Sequence, residues 1–170
     1  MSIISNCTAT AIKDAAIALI EGELVAFPTE TVYGLGADAT NKDAISRIYK
    51  VKGRPVGHPL IVHISSLVNL DKWARDIPDY AVNLARVFWP GPMTLILPRT
   101  DLAKDFITGD QDNVGIRIPS HSVALALLKE FESLGGLGVA APSANRFGAV
   151  SPTTASAVEI ELADFLSRND

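Results

Sequence analysis

Apolar residues recur along the chain with two alternating periods. Over residues 11–21, Ile12, Ala15, Ala16, Leu19 and Ile20 fall at helical spacing, and Gly22 stops the run before a short apolar strand at 24–27. The helical period returns over 42–50, with Ile45, Ile48 and Tyr49 inward, Thr40 or Asn41 as the cap, and an end before Gly53. Residues 60–64 read as a buried strand and 80–88 as a helix. Residues 94–97 read as a strand after the turn Trp89-Pro90-Gly91-Pro92. A strand at 114–118, a helix at 123–131, a strand at 138–141 and a last helix from about 154 to 166 complete the alternation. The pattern predicts an α/β fold, one domain with a twisted mixed sheet and flanking helices. Strand order is not written in it.

Composition narrows the class. With 170 residues, 48% hydrophobic and 20% charged, the chain can bury a single core and does not belong among disordered sequences. No apolar run approaches the roughly 18 residues of a membrane span, and the first residues lack the basic, apolar and cleavage regions of a secretory signal, so the expectation is a cytoplasmic protein without a membrane partner. Cys7 is the one cysteine, which excludes an internal disulfide and a thiolate metal cluster. A net charge of −4 argues against a general nucleic-acid coat; any polyanion must be met locally.

Four joints between elements hold polar residues that propensity does not require. The segment 28–38, with Thr29, Glu30, Thr31, Tyr33, Gly34 and Gly36, reads as a ligand loop hung on the strand before it; a plain glycine turn is the alternative. Its Gly34-x-Gly36-x-x-Ala39 spacing imitates a dinucleotide fingerprint. It stands six residues beyond Phe27, however, and no acidic residue follows at the needed distance, so that reading is rejected. The stretch 50–60 carries Lys50, Lys52 and Arg54 on a path stiffened by prolines and glycines, which suits a phosphate clamp, although a solvated charge run would look similar. It is not a Walker loop. Arg117, alternating with Ile116 and Ile118, needs a carboxylate or phosphate partner if buried, and is otherwise the exposed face of an edge strand. Finally, 141–155 combines Ser143, Asn145, Ser151, Thr153 and Thr154 at a helix start, where capping and anion binding share one geometry. His58, His63 and His121 lack zinc-ligand spacing, and no Gly-x-Ser-x-Gly elbow marks a serine hydrolase.

Taken together, Phe27-Pro-Thr-Glu-Thr-Val-Tyr-Gly-Leu-Gly36, Lys52-Gly-Arg-Pro55 with His58-Pro-Leu60, Trp89-Pro-Gly-Pro92, Val114-Gly-Ile-Arg117, Pro142-Ser-Ala-Asn145 and Ser151-Pro-Thr-Thr154 resemble, in order, the motifs of the YrdC domain family, the threonylcarbamoyl-AMP synthases. The resemblance implies a YrdC-like domain over 1–170 with a concave ligand cavity. It implies an enzyme, a nucleotidyltransferase, that joins L-threonine, bicarbonate and ATP into threonylcarbamoyl-AMP and pyrophosphate for tRNA threonylcarbamoyladenosine modification. Carried over by position, it implies L-threonine binding by Thr31, His63, Arg117 and Ala141, with Arg117 on the carboxylate. Lys52, Arg54, His58, Asn113, Ser143 and Ser151 would line the ATP side, and Lys52, Arg54, Ser143 and Asn145 would be the catalytic set. ATP implies Mg²⁺ held by phosphate oxygens and water, with no protein metal ligand assigned. Downstream tRNA threonylcarbamoyl-transfer proteins are the implied partners, with tRNA or double-stranded RNA as a further one. Family members continue past the Ser-Pro-Thr helix into further strands, so a domain lacking its C-terminal strands is expected. The alternative is an impaired paralogue or fragment serving as a nucleotide- or RNA-binding module; a generic nucleotide-dependent ligase or dehydrogenase is a more distant one.

Overall fold

The structure is a computed structural model describing residues 2–3 and 8–166; Cys7 lies outside the described residues. In chain order the elements are β1 (Ser2–Ile3), α1 (Ala9–Ile20), β2 (Val25–Pro28), β3 (Tyr33–Asp38), α2 (Lys42–Lys52), β4 (Ile61–His63), α3 (Leu70–Trp73), α4 (Asp79–Phe88), β5 (Leu95–Pro98), α5 (Asp105–Thr108), β6 (Asn113–Arg117), α6 (Ser122–Ser133), β7 (Val139–Ala140) and α7 (Ala155–Leu162). The strands form one mixed sheet in the order β1-β2-β3-β7-β4-β6-β5. The β1–β2 and β4–β6 pairs are parallel and the rest antiparallel. This is the predicted α/β class with a mixed sheet and flanking helices.

Caps explain where the helices start. Thr8 accepts the Ala11 N–H for α1, Asn41 accepts those of Asp43 and Ala44 for α2, and Thr154 accepts that of Ala157 for α7. Gly53 closes α2 in the left-handed region, φ 60°, which suits a residue without Cβ. None of the described helices is long and apolar enough to cross a membrane.

One expectation changes. Residues 28–38 are not a loop throughout, because Tyr33–Asp38 forms β3 and pairs antiparallel with β2 through Val25↔Gly36 and Phe27↔Gly34. The ligand turn shrinks to 29–32. Gly36, which read as loop, is there for packing: a Cβ on it would stand 2.7 Å from Phe27 Cε1 and 2.9 Å from Val139 Cγ1. The aromatic ring of one strand thus covers the bare backbone of the next. Gly34 and Gly36 inside a strand also agree with rejecting the dinucleotide fingerprint, whose glycines open a helix.

Strand alternation sorts the core into two layers. Leu24, Ala26, Leu35, Ala37, Val62, Ile64, Val114 and Ile116 face one side and pack with Ile45, Ile48, Leu70 and Trp73. Val25, Phe27, Val139 and Ala141 face the other, beneath Leu19 of α1 and Leu127 and Phe131 of α6. That second helical layer covers β2, β3 and β7 but draws no buried residue from β4, β6 or β5. On this side those three strands instead present Ile61, His63, Gly115, Arg117 and Ile96, with Ile96 73% exposed. The α1/α6 layer therefore leaves half of this sheet face uncovered, open at Ile96, while His63 beside that layer stays buried.

Candidate functional site

The polar end of this open half-sheet is where β4 and β6 run side by side, pairing His63 with Arg117. The turn 29–32 folds over them. Thr29 Oγ1 accepts the N–H groups of Thr31 and Val32, each at 3.2 Å, and donates to the Val32 carbonyl at 2.6 Å, so one threonine hydroxyl shapes the whole turn. Glu30 and Thr31 are thereby aimed at Arg117. Its Nη2 donates to Glu30 Oε1 at 2.6 Å and to Thr31 Oγ1 at 3.3 Å, while Nε donates to the Gly91 carbonyl at 3.3 Å. The Arg117 and Glu30 side chains are only 11% and 18% exposed. Burial pushes the Glu30 carboxyl up, but the hydrogen bond from Arg117, backbone N–H groups and the guanidinium charge outweigh it and hold it below the ordinary glutamate value. Glu30 Oε2, by contrast, is buried and meets no donor.

His63 is buried, with its ring edge-on to Phe27 at 6.4 Å and Nδ1 3.2 Å from the Ile61 carbonyl. Burial first and the neighbouring Arg117 charge second push its imidazole down to about 4, so it is neutral at physiological pH. Because the folded value lies below the unfolded 6.5, the unfolded chain binds more protons between the two values, and folding stability falls as pH drops through that window. Urea unfolding of the wild type should therefore lose roughly 2 kcal/mol between pH 7 and pH 5 through this group. His63→Gln is expected to remove that increment of acid sensitivity; an unchanged pH slope in the variant would mean that His63 is not the titrating group.

Beside this cluster, loop 141–154 is strapped along β3. Leu35 N donates to the Pro142 carbonyl, Ala144 N to the Tyr33 carbonyl and Tyr33 N to the Pro152 carbonyl, all at 2.8 Å. Lys52, at the end of α2, is 2% exposed and donates from its ammonium to the carbonyls of Ser143, at 2.5 Å, and Asn145. Burial, then the charge of Arg54, pushes its ammonium down to about 8, still protonated at neutral pH. Asn145 Nδ2 donates to the carbonyls of Arg146 and Ala149 at 2.7 and 2.9 Å, and Ser151 Oγ donates to Asn145 Oδ1 at 3.3 Å. The half-buried Arg54 donates to the Pro59 carbonyl at 3.2 Å, with its buried Nε unpartnered. His58 is exposed and packs edge-on to Phe147 at 5.6 Å.

The residues expected from sequence thus fall into two groups. Thr31 and Arg117 meet directly, and His63 is the strand neighbour of Arg117. Lys52, Ser143, Asn145 and Ser151 form one bonded network. Buried Ala141 links them, donating its N–H to the Ile61 carbonyl at 3.1 Å. Asn113 is exposed at the far end of β6 from Arg117, on the rim of a cavity of about 240 Å³ that Ile61, Thr94, Ile96 and Gly115 also line. A larger cavity of about 910 Å³, bordered by Lys42, Arg75, Arg99 and Lys104, contains none of the expected residues.

Two further residues belong to the constellation. Glu30 stands in a quoted motif, but its pairing with an arginine 87 positions away leaves no trace in a single sequence. Arg146 donates from Nη1 to the Val51 carbonyl at 2.7 Å and lies over the Phe165 ring at 4.0 Å, and its backbone N–H donates to Glu161 at 3.0 Å. It ties the Ser-x-Asn loop to the end of α2 and to the last helix. Chemically, one end offers a carboxylate-paired guanidinium, a hydroxyl and a neutral imidazole; the other offers a positively charged loop junction rich in hydroxyl and amide groups. Among the described residues no three of His, Cys, Asp and Glu converge as metal ligands.

Comparison with known proteins identifies the family. The family model for Sua5, YciO and YrdC proteins, described as "Telomere recombination", matches residues 18–167. The chain is 50% identical over 144 residues to a threonylcarbamoyl-AMP synthase of Pyrococcus abyssi, covering 85% of this chain and 41% of that protein. It is 49% identical over 152 residues to the Bacillus subtilis protein of the same name, covering 89% and 43%. The structure of P. abyssi Sua5 complexed with L-threonine superposes with a TM-score of 0.88 at 46% identity, covering 93% of this chain and 45% of that one. The chain spans less than half the length of these three relatives.

Proposed function

The chain belongs to the Sua5/YciO/YrdC family, and from that premise we propose that residues 1–170 form a YrdC-like domain carrying the site of threonylcarbamoyl-AMP synthesis from L-threonine, bicarbonate and ATP. The observation that carries the reading is the open half-sheet end, where Arg117, Thr31 and His63 stand beside a loop anchored by Lys52. A relative of the same fold is described as complexed with L-threonine.

In this reading Arg117 receives the threonine carboxylate, Thr31 adds a hydroxyl, and neutral His63 supplies a polar wall without repelling a cationic amine. The threonine ammonium gives up a proton to solvent, and the free amine captures carbon dioxide formed by dehydration of bicarbonate, losing a second proton; an oxygen of the resulting carbamate attacks the α-phosphorus while pyrophosphate leaves. No protein nucleophile is needed. The domain's work is positioning and charge neutralisation, which its cations, hydroxyls and backbone donors suit. Ser143, Asn145 and Ser151 hold the shape of the nucleotide side, and Arg54 and His58 stand at its outer edge to meet phosphate. Mg²⁺ enters with ATP, held by phosphate oxygens and water. The product passes to tRNA threonylcarbamoyl-transfer proteins, which places the chain with tRNA in the cytoplasm.

Pyrophosphate release measured with ATP, bicarbonate and L-threonine tests this. Release is expected only when all three are present, and D-threonine should not replace L-threonine. Release independent of threonine, or equal with both enantiomers, would remove the assignment.

A further inference from the structure

His58 is exposed, on a loop of glycines and prolines that follows α2. A side chain so placed ordinarily samples several rotamers, and ordering it against a ligand weakens binding unless the protein has ordered it beforehand. Two residues do so here. Tyr49, in the last turn of α2 and only 5% exposed, donates its phenol hydroxyl to the His58 carbonyl at 2.7 Å, with the Phe106 carbonyl of α5 as a longer alternative at 3.4 Å. The Tyr49 carbonyl accepts the Arg54 N–H at 3.0 Å, so a single residue pins the loop at both Arg54 and His58. Just beyond, Leu60 N–H donates to the Ile107 carbonyl at 2.8 Å, which fixes the exit from the loop.

The imidazole is met from the other side. Phe147 packs edge-on against it, with ring centroids 5.6 Å apart and planes at 72°. Its backbone N–H donates to the Lys52 carbonyl at 2.7 Å, and the neighbouring Arg146 donates from Nη1 to the Val51 carbonyl at 2.7 Å. The Phe147 ring is therefore mounted on the same end of α2 that carries Tyr49, and the loops 53–59 and 141–154 meet at the His58–Phe147 pair.

We propose that Tyr49 and Phe147 are positioning residues of the nucleotide side: the Tyr49 hydroxyl fixes the backbone at His58 and the Phe147 ring fixes its imidazole, so that His58 meets an ATP phosphate in a preset orientation. The inference rests on reading His58 as a phosphate contact. Tyr49 is buried and acts only through the loop that it holds.

Calorimetric titration with ATP of the wild type, Tyr49→Phe and Phe147→Leu, each repeated in a His58→Ala background, tests this. Each single variant is expected to weaken ATP by about 3- to 10-fold, the range of one neutral hydrogen bond or one aromatic pair. In the His58→Ala background the same changes should alter ATP affinity by less than about twofold, because the group they position is gone. The ring proton resonances of His58, one of three histidines in the chain, supply a second readout: both variants should shift them and leave those of His63 in place. Phe147 is half exposed, so its variant keeps the test open if Tyr49→Phe fails to fold. ATP affinity unchanged in either folded variant, or lowered equally with and without His58, would overturn the proposal. A wild type that does not bind ATP removes the nucleotide reading along with it, whereas ATP binding that survives His58→Ala at full strength overturns only the positioning role.

Discussion

Arg117→Ala is expected to destabilise the fold by about 3–5 kcal/mol and to abolish L-threonine binding, because it strands the Glu30 carboxylate without a partner in a largely buried position. Equilibrium urea unfolding at pH 7 checks the first effect and calorimetry the second. Adding Glu30→Ala to the variant should restore much of the stability but none of the binding, since the cost comes from the orphaned charge. The pH dependence follows with a definite sign. In the wild type the folded Glu30 value lies below its ordinary 4.5, so its contribution is present above 4.5 and is lost as pH falls through the folded value. In Arg117→Ala the unpaired carboxyl moves up instead, and the variant gains relative to wild type as it becomes protonated. The gap between the two proteins should therefore narrow on acidification below pH 4.5; a gap that widens would contradict the pairing.

Lys52→Met should cost about 2–4 kcal/mol and lower ATP affinity, for a reason different from a lost phosphate contact. The ammonium bonds the carbonyls of Ser143 and Asn145, and a thioether of similar length leaves both acceptors buried and unpaired. Hydrogen exchange should then rise in loop 141–154 together with the loss of nucleotide binding. Arg54→Ala is the control, because Arg54 bonds within its own loop, to the Pro59 carbonyl. It is expected to weaken ATP by about 1.5–3 kcal/mol with little change in unfolding free energy. If Lys52→Met unfolds like wild type and loses only ATP affinity, its ammonium serves as a phosphate ligand and not as the anchor of the loop.

Much of the architecture could be read from periodicity because burial imposes it. The helices over 9–20, 42–52 and 122–133 bury an apolar face, and the sequence shows that face directly. Tyr33–Asp38 was not legible as a strand, since two glycines and an aspartate oppose strand propensity; what overrides them is the Phe27 ring lying against Gly36. The four-residue helices at 70–73 and 105–108 are too short to show a helical period at all.

The site divides along the same physical line. Which side chains could do this chemistry is legible along the chain, because threonine, serine, histidine, lysine and arginine gathered at the joints are an unusual commitment of polar groups, and their order matches a known set of motifs. Equally legible is that Arg117, set between two isoleucines, needs an anionic partner if buried, since an unpaired buried charge is prohibitive. That the partner is Glu30, and that Arg117 sits on an interior strand between β4 and β5, emerges from the packed fold. So do the inward turn of Lys52 toward Ser143 and Asn145 and the coverage of only one half of a sheet face by α1 and α6. Those outcomes depend on contacts between residues 86 or more positions apart, and such contacts are set by how layers pack once strand order is chosen. Local periodicity reports which face of an element is buried; it carries no record of what lies against that face.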